Sequence, residues 1–275
     1  MNMNYGQKDW WAVILGGSSG LGLATAKKLA SCGMNLCLVH KDRRASMETI
    51  QKEFDSIKAM GVKIETFNTD ALSKEGVNQV LTALADKLAG GKVRLVLHSI
   101  AAGNLRNLAP VKTDKSPEEK DFENLLGAEE INGTIHNMAI SLVPWVQEIM
   151  KRKMFAKDSR VIGLTSEGSR IAWNGYGAVA CAKAALECLM RGLAREYGPH
   201  GIRCNIVQAG ITPTPALKMI PGSDKMVESA IRRNPLGRLT TPEDVGNVIS
   251  LLCSDEAAWI NGSILCADGG ESISG

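Results

Sequence analysis

Along this chain, short apolar runs alternate with longer stretches in which apolar residues recur every three or four positions. The runs at 11–15, 36–39, 62–67, 93–97, 161–164, 202–207 and 263–267 read as seven strands. The 3.6-residue period predicts helices over 21–29, 46–60, 77–88, 121–152, 176–197 and 244–253. Pro144 should kink the long fourth helix or mark a boundary within it. Strands alternating with helices predict parallel βαβ units, so the expected fold class is α/β, a doubly wound seven-stranded parallel sheet. Strands covered on both faces should be apolar throughout. Ala12-Val13-Ile14-Leu15 fits, and the fourth strand fits from Leu95 onward, with Arg94 polar near its start. The most polar stretch, 112–123, reads as a surface excursion between the fourth strand and the long helix. With no internal repeat and no low-complexity linker, residues 1–275 are expected to form a single domain.

Composition narrows the possibilities. The chain has 275 residues, 44% hydrophobic and 22% charged, which is globular. A net charge of +3 is too small an excess for a dedicated nucleic-acid binder. No apolar run approaches the roughly 20 residues of a membrane span, and the polar opening at 1–11 has no signal-peptide core. The seven cysteines are odd in number, lack CxxC spacing and in part sit in apolar segments. That predicts buried thiols in a reducing, cytoplasmic setting. His40, His98, His136 and His200 form no ligand pattern, so no metal site is expected.

The candidate chemistry begins after the first strand. Gly16-Gly17-Ser18-Ser19-Gly20-Leu21-Gly22 follows that strand and opens a helix. Glycines allow a tight turn and close approach to a pyrophosphate, while a helix N-terminus adds N–H donors and positive dipole. Gly22 permits close packing of helix on strand. Strand, loop and helix fall in the order of a Rossmann-type dinucleotide-binding unit, although glycines at 16, 20 and 22 give GxxxGxG and not GxGxxG.

This spacing resembles the short-chain dehydrogenase/reductase family, and the resemblance runs over nearly the whole chain. Asp70, followed by Ala71, matches the family's adenine contact after strand three. Gly210-Ile211-Thr212-Pro213-Thr214 and Asp268-Gly269-Gly270 match later motifs. Two positions depart together. Leu15 replaces the usual Thr, and His98-Ser99-Ile100-Ala101-Ala102 replaces an Asn-Asn-Ala-Gly segment. Ser99-Ile100-Ala101 is similar to the divergent enoyl-acyl-carrier-protein reductase branch. The resemblance implies a nicotinamide cofactor held along the glycine loop, Asp70, Ala71, the 99–101 segment, Gly210, Thr212 and Thr214. It also implies a homotetramer, with the long helices and the 260–275 tail at interfaces.

The residue ending strand two selects the cofactor: a carboxylate binds the ribose 2′-OH of NADH, positive charge the 2′-phosphate of NADPH. That position is His40, followed by Lys41-Asp42-Arg43-Arg44. Arg43 and Arg44 could grip a phosphate, which favours NADPH over NADH. Against this, Asp42 could reach the ribose after a slip of two residues, and Ser19 adds no basic residue to the glycine loop. The three cations could also be a solvated helix start.

Tyr176 stands at the head of a helix, with Lys183 seven residues, or two turns, later on the same face. A nearby ammonium would lower the phenol's pKa, and the pair could supply a proton or hydrogen bond to an oxygen gaining charge. Most family members have Tyr four residues before Lys, here Val179; the Tyr-x6-Lys spacing resembles the enoyl reductases. In ketone reduction the hydride-accepting carbon bears the oxygen. In an enoyl thioester hydride adds at Cβ and charge collects on a carbonyl oxygen further along, a displacement that one helical turn of roughly 5 Å could track.

Ser166, 17 residues before Lys183, matches the family's catalytic Ser, where many enoyl reductases carry a second Tyr. It would bond the substrate carbonyl or cap the strand end. Asn132 resembles the family Asn of a proton relay, or is a plain helix Asn. Met219, Ile220 and Met226 fall where the family has a mobile substrate lid, and could wall an acyl chain or pack in the core. The resemblance therefore implies an NADPH-dependent reductase of an enoyl thioester on acyl-carrier protein or coenzyme A. Arg232-Arg233 and Arg238 are candidates for a basic surface facing a carrier protein. A 3-oxoacyl or other carbonyl reductase of the same fold is the alternative.

Overall fold

The computed structural model describes residues 4–114, 116–220 and 222–274. Residues 1–3 of the polar opening, Lys115 of the excursion, Pro221 and the tail's last residue, Gly275, lie outside the described residues. Seven parallel strands form one sheet in the order β3-β2-β1-β4-β5-β6-β7. They are β1 Trp10–Leu15, β2 Asn35–His40, β3 Ile64–Asn68, β4 Lys92–His98, β5 Phe155–Thr165, β6 Ile202–Ala209 and β7 Ile264–Ala267. The helices are α1 Gly20–Ser31, α2 Met47–Lys58, α3 Lys74–Leu88, α4 Ala128–Ile135, α5 Leu142–Lys151, α6 Gly177–Tyr197, α7 Pro215–Lys218, α8 Ser223–Arg233 and α9 Pro242–Leu252.

Side chains alternate across the strands into two cores, which makes the sheet doubly wound. Val13, Val96, Val161 and Ile206 face a layer built from α3, α5 and α6, including Leu81, Trp145 and Leu186. Ile14, Leu97, Ile162 and Val207 face α1, α2 and α9, including Leu29, Ile57 and Ile249. This is the expected single Rossmann-type α/β domain. Strand order reverses between β1 and β4, so the loops leaving them diverge and open a crevice at their carboxyl ends.

Three departures have physical causes. β5 starts at Phe155, well before 161, because the polar Lys157-Asp158-Ser159-Arg160 run is satisfied internally. Arg160 is buried and donates to Asp158 and to the Leu252 and Ser254 carbonyls. Arg94 is likewise fully buried, and donates to Asp158 and to the Cys253 and Ser254 carbonyls. Both arginines thus satisfy carbonyls at the end of α9, which have no intrahelical donor.

Second, the long helix begins at Ala128 and is broken by a π turn, His136–Ile140. Pro144, in the first turn of α5, has no N–H for the Ile140 carbonyl. The ladder slips by one residue, so the Ser141 N–H reaches the His136 carbonyl at 2.9 Å. Third, the sequence reading misses α8, whose apolar stripe is only four residues, Met226, Val227, Ala230 and Ile231; its other signals are Asp224 in the first turn and Arg232 and Arg233 in the last.

Four thiols, Cys32, Cys37, Cys204 and Cys253, are buried as expected, whereas Cys181, Cys188 and Cys266 are exposed. Among the described residues no helix is long and apolar enough to cross a membrane.

Candidate active site

A cleft of about 1340 Å³ opens at the carboxyl ends of β1, β4, β5 and β6. At one end lies the glycine loop. The Gly16 N–H donates to the Val39 carbonyl at 2.8 Å, and the Ser99 N–H to the Leu15 carbonyl at 2.8 Å, so the two loops meet at the crevice. Gly16 has φ +87°, and a Cβ there would collide with the Ser99 carbonyl. Gly16, Ser18, Ser19, Gly20 and Leu21 line the cleft with Ser99, Ile100 and Ala101. Ser19 makes no side-chain cap on α1, which leaves first-turn N–H groups available to an anion. These residues fit a dinucleotide pyrophosphate. Gly22, grouped with the cofactor residues from sequence, does not reach the cleft; a Cβ there would strike the Gly16 carbonyl, so its service is close packing.

Next comes the end of β2. His40 is buried, with Nδ1 2.9 Å from Asp42 Oδ2. Lys41 Nζ donates to Asp70 Oδ2 at 2.7 Å, and Asp70 Oδ1 accepts the Leu72 N–H at 2.9 Å. The two bonds hold the Asp70 carboxyl below its ordinary range. His40, Lys41, Asp42, Asp70 and Ala71 all line the cleft. Arg43 and Arg44 do not; both are exposed where the chain turns outward into α2, so the cation facing the site is Lys41, which the sequence reading counts only among the cations of a solvated helix start.

Tyr176 occupies the N-cap position of α6. Its hydroxyl lies 3.3 Å from Ser166 Oγ at the end of β5. Its ring meets Trp173 edge-on with centroids 5.4 Å apart, and Gly168 leaves the space that ring fills. Lys183 donates to the Leu164 carbonyl at 2.8 Å. Burial lowers its pKa to about 8, opposed by the Glu187 carboxylate one turn on. The Tyr176 pKa is raised, not lowered as the Tyr–Lys spacing suggests. Burial raises the Tyr176 pKa, and only the Ser166 hydrogen bond opposes the rise. Tyr176 is therefore a protonated donor at neutral pH.

His98, in place of the usual Asn, is buried beneath the site with Nε2 2.9 Å from Ser141 Oγ. Burial, then the Lys183 charge, lowers its pKa to about 3, so it is neutral. Ser141 donates in turn to the Asn137 carbonyl. Asn137 lines the cleft and donates to the Ala102 carbonyl at 3.1 Å. Asn132 is exposed and outside the cleft, which supports the plain helix reading for it. The face turned to the cleft carries Glu130, Thr134, Asn137 and Met138. Helical spacing from Glu130 was the signal that could have found Asn137.

Gly210, Thr212 and Thr214 close the other side. Thr212 Oγ1 donates to the Gly210 carbonyl at 2.8 Å, and Thr214 caps α7. Met219, Ile220 and Met226 face the cleft and not the core, joined by Leu105, Trp173 and Val179 in an apolar wall. Of the three candidate surface cations, Arg233 binds Glu167 and Glu271, and Arg238 binds Asp244, leaving Arg232 exposed.

Residues 16–272 match the family model described as enoyl-(acyl carrier protein) reductase. A cyclohexanol dehydrogenase of a Rhodococcus strain is 28% identical over 96% of both chains. An NADH-dependent enoyl-[acyl-carrier-protein] reductase of Neisseria meningitidis is 29% identical over 92% of this chain and 93% of its own. The crystal structure of an enoyl-[acyl-carrier-protein] reductase (NADH) from Aquifex aeolicus superposes with a TM-score of 0.79 at 24% identity, covering 100% of this chain and 99% of that one. The chain thus belongs to the enoyl-(acyl carrier protein) reductase-type family of short-chain dehydrogenase/reductases, oxidoreductases on an NAD(P)-binding fold.

Proposed function

We propose that the protein reduces the 2,3 double bond of an enoyl thioester, with NADPH as reductant. The observation that carries this reading is the Tyr176 hydroxyl, seven residues before Lys183 and 3.3 Å from Ser166, facing an apolar cleft. When bound, the dinucleotide supplies hydride to Cβ of the trans-2-enoyl chain. Tyr176 donates its O–H to the thioester carbonyl oxygen as charge gathers there. Ser166 orients that hydroxyl and offers a second donor to the same oxygen. Lys183 keeps one N–H on the Leu164 carbonyl and turns its others toward the cofactor ribose. The wall of Leu105, Trp173, Val179 and Met226 suits an acyl chain.

NADPH rests on Lys41, the cation in the cleft at the selecting position, whose ammonium gives one N–H to Asp70 and keeps others for a 2′-phosphate, while Asp42 is engaged with His40. Acyl-carrier protein or coenzyme A carries the acyl group. Of the basic candidates Arg232 alone is free to meet an acidic carrier, because Arg233 and Arg238 are held in ion pairs. The family likeness supports a homotetramer working in the cytoplasm.

One observation favours a second reading. The retained Ser166 beside a tyrosine also suits carbonyl reduction, and a relative at 28% identity is a cyclohexanol dehydrogenase. Following nicotinamide oxidation with crotonyl and acetoacetyl thioesters separates the two. Enoyl turnover supports the proposal; 3-oxo turnover without enoyl turnover rejects it.

A further inference from the structure

Arg233 ends α8 and does not line the cleft, yet three cleft-forming segments meet at it. Its Nη2 donates to Glu167 Oε1 at 2.7 Å and to Glu271 Oε1 at 3.1 Å, and Nη1 reaches Glu167 Oε2 at 3.4 Å. Glu271 Oε2 accepts the Ile211 N–H at 3.0 Å. Glu167 directly follows Ser166, and Ile211 opens the loop that carries Thr212 and Thr214. α8 and the segment before it supply Met219, Ile220 and Met226 to the cleft's outer wall. Glu167 and Glu271 are 7% and 1% exposed, and Arg233 Nε is buried without a partner. Of the 11 residues of α8 only Ala230 is buried. The wall helix thus turns only a narrow apolar strip inward, the half-buried Met226 and Val227 beside Ala230, and its charged fastening to the floor is one guanidinium.

We infer that Arg233 is a positioning residue that latches α8 over the cleft and, through Glu167 and Glu271, fixes Ser166 and the 211–214 loop against that wall. Two ionised carboxylates buried side by side repel, and a cation between them relieves that repulsion. A planar guanidinium can bridge both, which a lysine ammonium does less well. Without the cation the carboxylates repel, and swinging α8 outward lets water reach them. The effect on an acyl substrate rests on the enoyl-reductase reading; the latch itself does not.

The full-length protein tests this with Arg233→Ala, Arg233→Lys, Glu271→Gln and the Arg233→Ala/Glu271→Gln double variant. Limited trypsin digestion is scored at Lys218 and Lys225, both exposed in the wall segment, beside thermal unfolding. Arg233→Ala should be cut about tenfold faster at these two sites, with cutting elsewhere little changed. KM for the thioester chosen by the activity screen should rise about tenfold, more than kcat falls. Arg233→Lys should be intermediate, and removing the Glu271 charge should recover part of the loss in Arg233→Ala. Glu271→Gln alone keeps the fold's volume and should speed the same two cleavages. Unchanged cutting at Lys218 and Lys225 in Arg233→Ala or Glu271→Gln, or faster cutting spread evenly over the chain, overturns the latch. If no thioester is turned over, the digestion still decides the latch; if the latch fails, the activity screen still decides the reaction.

Discussion

The Tyr176 hydroxyl lies 3.3 Å from Ser166 Oγ, while Lys183, two turns along α6, turns its ammonium to the Leu164 carbonyl. The phenol is thus paired with a neutral hydroxyl, and burial raises its pKa. That arrangement stores a proton on Tyr176 for donation, and does not prepare an anion.

Tyr176→Phe removes this donor and keeps the ring against Trp173. Turnover should fall by about 10²–10⁴-fold, the usual worth of a positioned acid. Fluorescence titration should find dinucleotide affinity within about threefold of wild type, because the lost group acts on the reacting oxygen. An unchanged rate would mean another group supplies the proton.

Lys183 has a pKa lowered by burial to about 8. A base with a lowered pKa loses its charge as pH rises through that value, so kcat/KM should decline above about pH 8. Lys183→Arg stays charged and should lose this alkaline limb, whatever its residual rate. A pH profile of both proteins from 6 to 10 checks it; a wild-type profile flat to about pH 10 contradicts it.

His98 is neutral in the fold, with a pKa of about 3 against about 6.5 unfolded. Above pH 6.5 neither state is charged. As pH falls below that, the unfolded chain binds a proton the native state refuses, so stability is lost down to about pH 3. Between pH 6.5 and pH 5 this amounts to about 2 kcal/mol. Urea unfolding should show that His98→Asn, which keeps a polar partner for Ser141, loses less stability over this interval than wild type. Equal losses would mean that His98 titrates normally.

Cofactor choice should depend on Lys41 and not on its arginine neighbours. Lys41→Ala should raise KM for NADPH about tenfold and change NADH little, since a 2′-phosphate loses a charge-assisted bond. Arg43→Ala and Arg44→Ala should change either value by less than about threefold. The reverse pattern would return the selection to the arginines.

Much of this was legible in the sequence because covered parallel strands and a glycine loop leave little freedom. Ala12–Leu15 is apolar because both faces are buried, and Gly16 is required where the backbone passes Ser99. Tyr176 and Lys183 were readable from helical spacing. Other features depended on contacts that spacing does not carry. Arg94 and Arg160 look like surface residues until α9 brings its terminal carbonyls to them. Asn132 and Asn137 were separable only by knowing which helix face meets the cleft. The triad of Glu167, Arg233 and Glu271 joins residues from three distant segments, and no local pattern predicts it. The raised phenol pKa follows from burial, which the Tyr–Lys spacing alone does not reveal.

The most direct test of the central claim follows the label from NADPH deuterated at the transferable position of nicotinamide C4 into the product of a crotonyl thioester. The account predicts a butyryl thioester with one deuterium at C3, formed by wild type and nearly abolished in Tyr176→Phe. A crotonyl thioester recovered unreduced, from enzyme that reduces acetoacetyl thioester in the same buffer, would contradict it.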